Sequence, residues 1–154
     1  MSGRRLSPVV SLAEVPPADV SQFRPVVLVV DDESAIADTV VEILCRSGYA
    51  ATAAYDGNEA LETALVTPPE LLITDVVLPG MTGIELAITV KRIFQDCKIL
   101  LFSGQAATSD LMANARSAGH HFTLLTKPIH PKELLSRIAT ALKPRESHLG
   151  TPVS

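Results

Sequence analysis

Cysteine is scarce in this chain of 154 residues: Cys45 and Cys97 stand alone, with no CxxC pair and no metal-ligand spacing around them. They speak against a zinc site and read as two buried thiols in a reducing cytosol, a disulfide being the lesser alternative. Long apolar runs are missing too. None approaches the ~18 residues that a membrane helix needs, and the N-terminus has no apolar stretch suited to a signal peptide, so the expectation is a soluble, cytoplasmic protein with no membrane partner. Basic runs are absent and the net charge is -4, which argues against direct nucleic-acid binding. Neither GxxxxGK[ST] nor GxGxxG occurs, so a phosphate cradle of backbone amides is lacking and a nucleotide-binding role is disfavoured.

What is present suits a globular domain. Hydrophobic residues make up 47% and charged residues 19%, and the length allows one domain with a full core. Residues 1 to 24 carry Pro8, Pro16 and Pro17 among small polar residues and read as a flexible arm. Pro144 halts the last helical pattern, so 144 to 154 reads as a polar tail and 25 to 143 as the folded unit. With no further domain pattern after Lys143, a stand-alone domain is expected.

Inside that unit, short apolar runs alternate with amphipathic segments. The runs are VVLVV (26 to 30), a weak AATAA (50 to 54), LLIT (71 to 74), ILLF (99 to 102) and FTLL (122 to 125). The strong ones are continuous, as in parallel strands covered on both faces. Between them, stripes of Ile36, Val40, Ile43 and Leu44, of Ala60, Leu61, Ala64 and Leu65, of Leu86, Val90 and Ile93, of Leu111, Met112 and Ala115, and of Leu134, Leu135, Ile138 and Leu142 predict five helices. Gly48 is placed to end the first, and Pro131 and Glu133 to start the last. The pattern predicts an α/β fold with a single doubly wound five-stranded parallel sheet and five helices.

In such sheets ligands gather at the carboxyl ends of the strands. The residues there are Asp31 and Asp32 after the first run, Asp75 after the third, Ser103 after the fourth and Lys127 after the fifth. Three carboxylates brought together need a cation, and an all-oxygen donor set favours magnesium over zinc. Magnesium keeps several waters and serves best beside a phosphate, for which Lys127 offers a point charge and Ser103 a hydroxyl. Asp75 is then either a further ligand or a nucleophile forming an aspartyl phosphate, an attack for which an ionised carboxylate needs no base. The plainer readings are that Asp31 and Asp32 cap the first helix, that Gly80, Gly83 and Pro79 are ordinary turn residues, and that His120, His121 and His130 are solvated loop histidines.

The set VVDDES, LLITDVVLPGMTGIEL, ILLFSG and LLTKPI, in this order and spacing over residues 26 to 142, resembles the receiver domain of two-component response regulators. The resemblance implies the flavodoxin-like strand order 2-1-3-4-5. It also implies that Asp75 is the phosphoacceptor for a sensor histidine kinase or histidine phosphotransfer protein, and that signalling runs through a downstream protein target or a phosphorelay. Asp32, Asp75 and the backbone carbonyl of Val77 would bind Mg2+ directly, and Asp31 largely through water. Ser103 would move toward the phosphoryl group and Lys127 would pair with it. Pro128 would follow a cis peptide bond, Gly104 would leave room for the incoming phosphohistidine, and Val77 and Gln105 would flank the path of a hydrolytic water. Leu124 stands where the family usually carries an aromatic switch residue. Beyond self-phosphorylation and autodephosphorylation no enzymatic turnover is expected, because the second acid of haloacid-dehalogenase-type phosphatases is replaced by Val77. A receiver-like scaffold without phosphorylation is the remaining alternative, opposed by the intact acids, hydroxyl and lysine.

Overall fold

The computed structural model describes residues 23–104 and 108–143. Most of the expected arm, Gln105 and the expected tail lie outside the described residues. The elements run β1 (Val26–Val30), α1 (Ser34–Arg46), β2 (Ala50–Ala54), α2 (Gly57–Val66), β3 (Leu71–Asp75), α3 (Gly83–Ile93), β4 (Lys98–Ser103), α4 (Thr108–Ser117), β5 (Thr123–Thr126) and α5 (Pro131–Leu142). All strand pairs are parallel, in the order β2-β1-β3-β4-β5, which is the flavodoxin-like order expected.

Alternation along the strands divides the core into two layers. Leu28, Val30, Leu72 and Leu101 point to the side where Ala60, Ala64, Leu86, Val90, Met112 and Ala115 cover them from α2, α3 and α4. Val27, Val29, Leu71, Ile73, Leu100 and Phe102 point to the other, under Ala37 and Leu44 of α1 and Leu134 and Ile138 of α5. Both faces of β1, β3 and β4 are therefore buried, which is why those runs are continuous. The weak run over residues 50 to 54 forms β2 because all five of its residues pair with β1, although its side chains bury little.

Local signals set the helix ends. Thr82 accepts from the Glu85 N–H at 3.1 Å while Glu85 accepts from the Thr82 N–H at 2.9 Å, a reciprocal cap that starts α3. Asp56 caps α2 through the Glu59 N–H at 2.7 Å. At the end of α1 the Gly48 N–H donates to Cys45 O and the Tyr49 N–H to Leu44 O, with Gly48 at φ 101°, a left-handed C-terminal cap.

Several expectations need correction. Cys45 is exposed; Leu44 takes the buried position and the next residue lies about 100° round the helix. Cys97 is buried, and both thiols are free. Leu65 (62% exposed) and Ile93 sit on the outer sides of α2 and α3, because Ala60 and Ala64, and Leu86, Ala87 and Val90, already define the packed faces. Ile36 and Ile43 line a cleft of about 470 Å³ with Phe102, Pro128, Ile129 and Pro131, while Ala37 and Leu44 carry the core contact of α1. The last strand is Thr123–Thr126, one residue later than the apolar run, and only Leu125 in it is buried, since β5 pairs on one side only, with β4.

Candidate functional site

Parallel strands end together, so the residues at or just after the carboxyl ends of β1, β3, β4 and β5 meet on one rim. The turn after β1 is held by the Asp31 N–H on Ala54 O at 3.2 Å, and the turn after β5 by the Lys127 N–H on Ser103 O at 2.9 Å. Asp31 is only 3% exposed, Asp75 is half-buried and Asp32 is exposed. One carboxylate oxygen from each lies within 4.8 Å of the other two.

Lys127 joins this group across the sheet. Its Nζ donates to Asp31 Oδ2 at 2.7 Å and to Asp75 Oδ2 at 2.9 Å. The second oxygen of each acid takes a backbone N–H: Glu33 donates to Asp31 Oδ1 at 2.9 Å and Val77 to Asp75 Oδ1 at 3.1 Å. Burial would lower the Lys127 pKa, but the hydrogen bonds and charge of Asp31 and Asp75 outweigh it and leave the ammonium pKa raised. One ammonium against three ionised carboxylates leaves two negative charges uncompensated, an arrangement that favours a further cation. The donors are all oxygens, so a hard divalent ion such as Mg2+ fits them.

Asp31 and Asp32 do not cap α1. Its N-cap is Glu33, with no side-chain bond, and Asp31 closes the turn before it. Ser103 is 4% exposed at the end of β4, beside Thr126 of β5. The Lys127–Pro128 peptide is cis, as expected. A Cβ on Gly104 would rest at ordinary contact distance on the Lys127 stem, 3.6 Å from its Cβ and 3.9 Å from its Cδ, so the glycine lies directly against that side chain. Leu124 is 36% exposed on β5, paired with Leu101. The histidines do not form a cluster: His120 stacks on Phe122 with ring centroids 5.9 Å apart, and His130 caps α5 through the Lys132 N–H at 3.1 Å.

Two residues escaped the sequence reading. Gly83, taken for a turn residue, is the first residue of α3 and presses on the backbone of Asp75. Thr74, fully buried, donates its hydroxyl to the Asp75 carbonyl at 3.0 Å. The T-x-x-E pattern of Thr82 and Glu85 could have located the start of α3, and with it Gly83; nothing in the sequence marks Thr74.

The family model for the response regulator receiver domain matches residues 27–139. The DNA-binding response regulator MtrA of Mycolicibacterium smegmatis is 30% identical over 124 residues, which are 80% of this chain and 53% of MtrA. The chain thus spans about half the length of that curated relative. Among solved structures, the Vibrio cholerae chemotaxis protein CheY4 matches with a TM-score of 0.70 at 30% identity, over 78% of this chain and 100% of that one. A CheY-like receiver domain protein from Methanospirillum hungatei matches with a TM-score of 0.72 at 28% identity, over 78% of this chain and 94% of that one. Receiver domains are signalling modules of two-component systems that take phosphoryl groups from histidine kinases and bind Mg2+ at an aspartate cluster. The match runs from β1 into α5, and this chain belongs to the response regulator receiver domain family.

Proposed function

We propose that Asp75 is the phosphoacceptor of this receiver, taking the group from the phosphohistidine of a sensor histidine kinase or a phosphotransfer protein. The observation that carries this reading is the Lys127 ammonium, held between Asp31 and Asp75 from the far end of β5. An ionised Asp75 oxygen attacks phosphorus; the P–O bond forms as the P–N bond breaks, and the electron pair leaves on the imidazole nitrogen of the donor. No proton has to be removed from the nucleophile. Lys127 then exchanges a carboxylate oxygen for a phosphoryl oxygen, and Ser103 supplies a hydroxyl donor to another. Gly104, whose missing side chain would otherwise rest on the Lys127 stem, is the residue we assign to the approach of the donor imidazole.

Asp32, Asp75 and the Val77 carbonyl are the ligands we assign to Mg2+, with Asp31 behind them acting through water. The ion supplies charge neutralisation for the phosphoryl oxygens. The module is not an enzyme in the turnover sense, since the phosphoryl group stays on its own side chain until hydrolysis or onward transfer.

The receiver unit in this reading spans 25 to 143, with an arm over 1 to 24 and a tail over 144 to 154, and acts in the cytoplasm. Its output is a phosphorylation-dependent contact with a protein target or a relay step, with Ser103 responding to the phosphoryl group and Leu124 in the place of an aromatic partner. A net charge of -4 and the lack of basic runs disfavour nucleic acid as a direct partner. MtrA is named for DNA binding, but nearly half of it lies outside the match.

Intact-protein mass after incubation with acetyl phosphate tests the reading. One added phosphoryl group is expected on wild type with magnesium, and none without magnesium or in Asp75→Asn. A wild type that stays unmodified and binds no magnesium would leave the receiver-like scaffold as the better description.

A further inference from the structure

The acceptor side chain can stand only where its own backbone stands, and that backbone is crowded on the side of α3. A Cβ built on Gly83 would collide with the Asp75 carbonyl oxygen, and would lie 2.8 Å from its carbon and 3.0 Å from Val76 Cα. All three are backbone atoms at the end of a central strand, which cannot swing aside as a side chain would. Gly83 also donates its N–H to Val76 O at 2.8 Å, so the first turn of α3 is bonded to the same stretch of backbone against which it presses.

The glycine is not needed for its conformation, because its φ lies outside the left-handed region. At the first position of a helix an alanine would otherwise be the better residue. What the site demands is the missing side chain. From the strand side the Thr74 hydroxyl, inside the core, donates to the same Asp75 oxygen at 3.0 Å. The Val76 N–H meanwhile donates to Phe102 O at 2.9 Å, which ties the next residue to β4.

We infer that Gly83 and Thr74 are positioning residues for phosphoryl transfer: they grip the Asp75 carbonyl from the helix side and the strand side, and so set where the acceptor carboxylate meets Lys127. Neither touches the reacting atoms. They act through the peptide that carries Asp75 and, two residues on, through Val77, whose N–H holds Asp75 Oδ1. The inference rests on Asp75 being the acceptor.

The test is the first-order rate of phosphorylation by acetyl phosphate at saturating magnesium, measured per folded molecule. The variants are Gly83→Ala, Thr74→Val and, as a control in the core away from the rim, Ile138→Val. Circular dichroism supplies the folded fraction. A misplaced nucleophile slows the chemical step, so Gly83→Ala is expected to fall at least tenfold and Thr74→Val several-fold, while Ile138→Val stays within twofold of wild type. Rates for both site variants within twofold of wild type would overturn the inference. If Gly83→Ala does not fold, Thr74→Val decides: several-fold slowing supports the grip, and an unchanged rate overturns it. Failure of the underlying reading shows differently, as wild type that takes no phosphoryl group or as Asp75→Asn that still takes one.

Discussion

Lys127 decides the electrostatics of the rim. It is the cation that holds two carboxylates from different strands, and its side chain is mostly shielded from water. Replacing it by methionine keeps the aliphatic stem and removes the charge, leaving Asp31 and Asp75 facing each other uncompensated. Without divalent metal, Lys127→Met is expected to lower unfolding stability by about 2–3 kcal/mol. Magnesium at a hundred times its dissociation constant restores about 2.7 kcal/mol through mass action. Urea titrations with and without magnesium check both parts. A midpoint indifferent to the substitution, or a variant that gains nothing from magnesium, would mean that the acids are not coupled as the distances suggest.

At the level of elements, the site depends on where helices and strands stop. Thr82 and Glu85 begin α3 at the point that brings Gly83 against Asp75, and His130 with Pro131 begins α5 close behind Lys127. Ends remote from the rim contribute stability alone. Gly48 is such a residue: it stands at φ 101° with no atom within 4 Å of where a Cβ would project, so Gly48→Ala carries only the conformational cost of the left-handed region. A loss of about 1 kcal/mol is expected, with the phosphorylation rate unchanged. Slower phosphorylation in this variant would show that α1 is coupled to the rim in a way its contacts do not suggest.

For the molecule as a whole, the core sets an alkaline limit. Burial pushes the Cys97 thiol pKa from 9.0 up to about 11, despite the opposing charge of Lys91. A pKa raised in the folded state gives a contribution that is complete below the unfolded value, here 9.0, and lost as pH rises through the folded one. Lys127, also raised, acts in the same direction above its ordinary 10.5. Stability is therefore expected to fall between pH 9 and 11 by about 2–3 kcal/mol from the thiol alone. Cys97→Ala flattens that decline whatever it does to the starting stability. Equal slopes for wild type and variant, read from urea midpoints across this range, would contradict the assignment.

The sequence by itself determined the fold class and the principal side chains of the rim. Continuous runs such as VVLVV and LLIT mark strands buried on both faces, and chemistry collects at their carboxyl ends, so Asp31, Asp32, Asp75, Ser103 and Lys127 were legible from position alone. Periodicity was less informative about faces. It counted Leu65 and Ile93 as core although neighbouring residues had already filled the packed sides, and it could not see that FTLL would lie at an edge. Only the tertiary structure decided that Lys127 bridges Asp31 and Asp75, and that Gly83 and Thr74 meet at one carbonyl oxygen. Lys127 lies 96 residues from Asp31, and a contact at that separation depends on strand order and register, which the one-dimensional pattern does not encode.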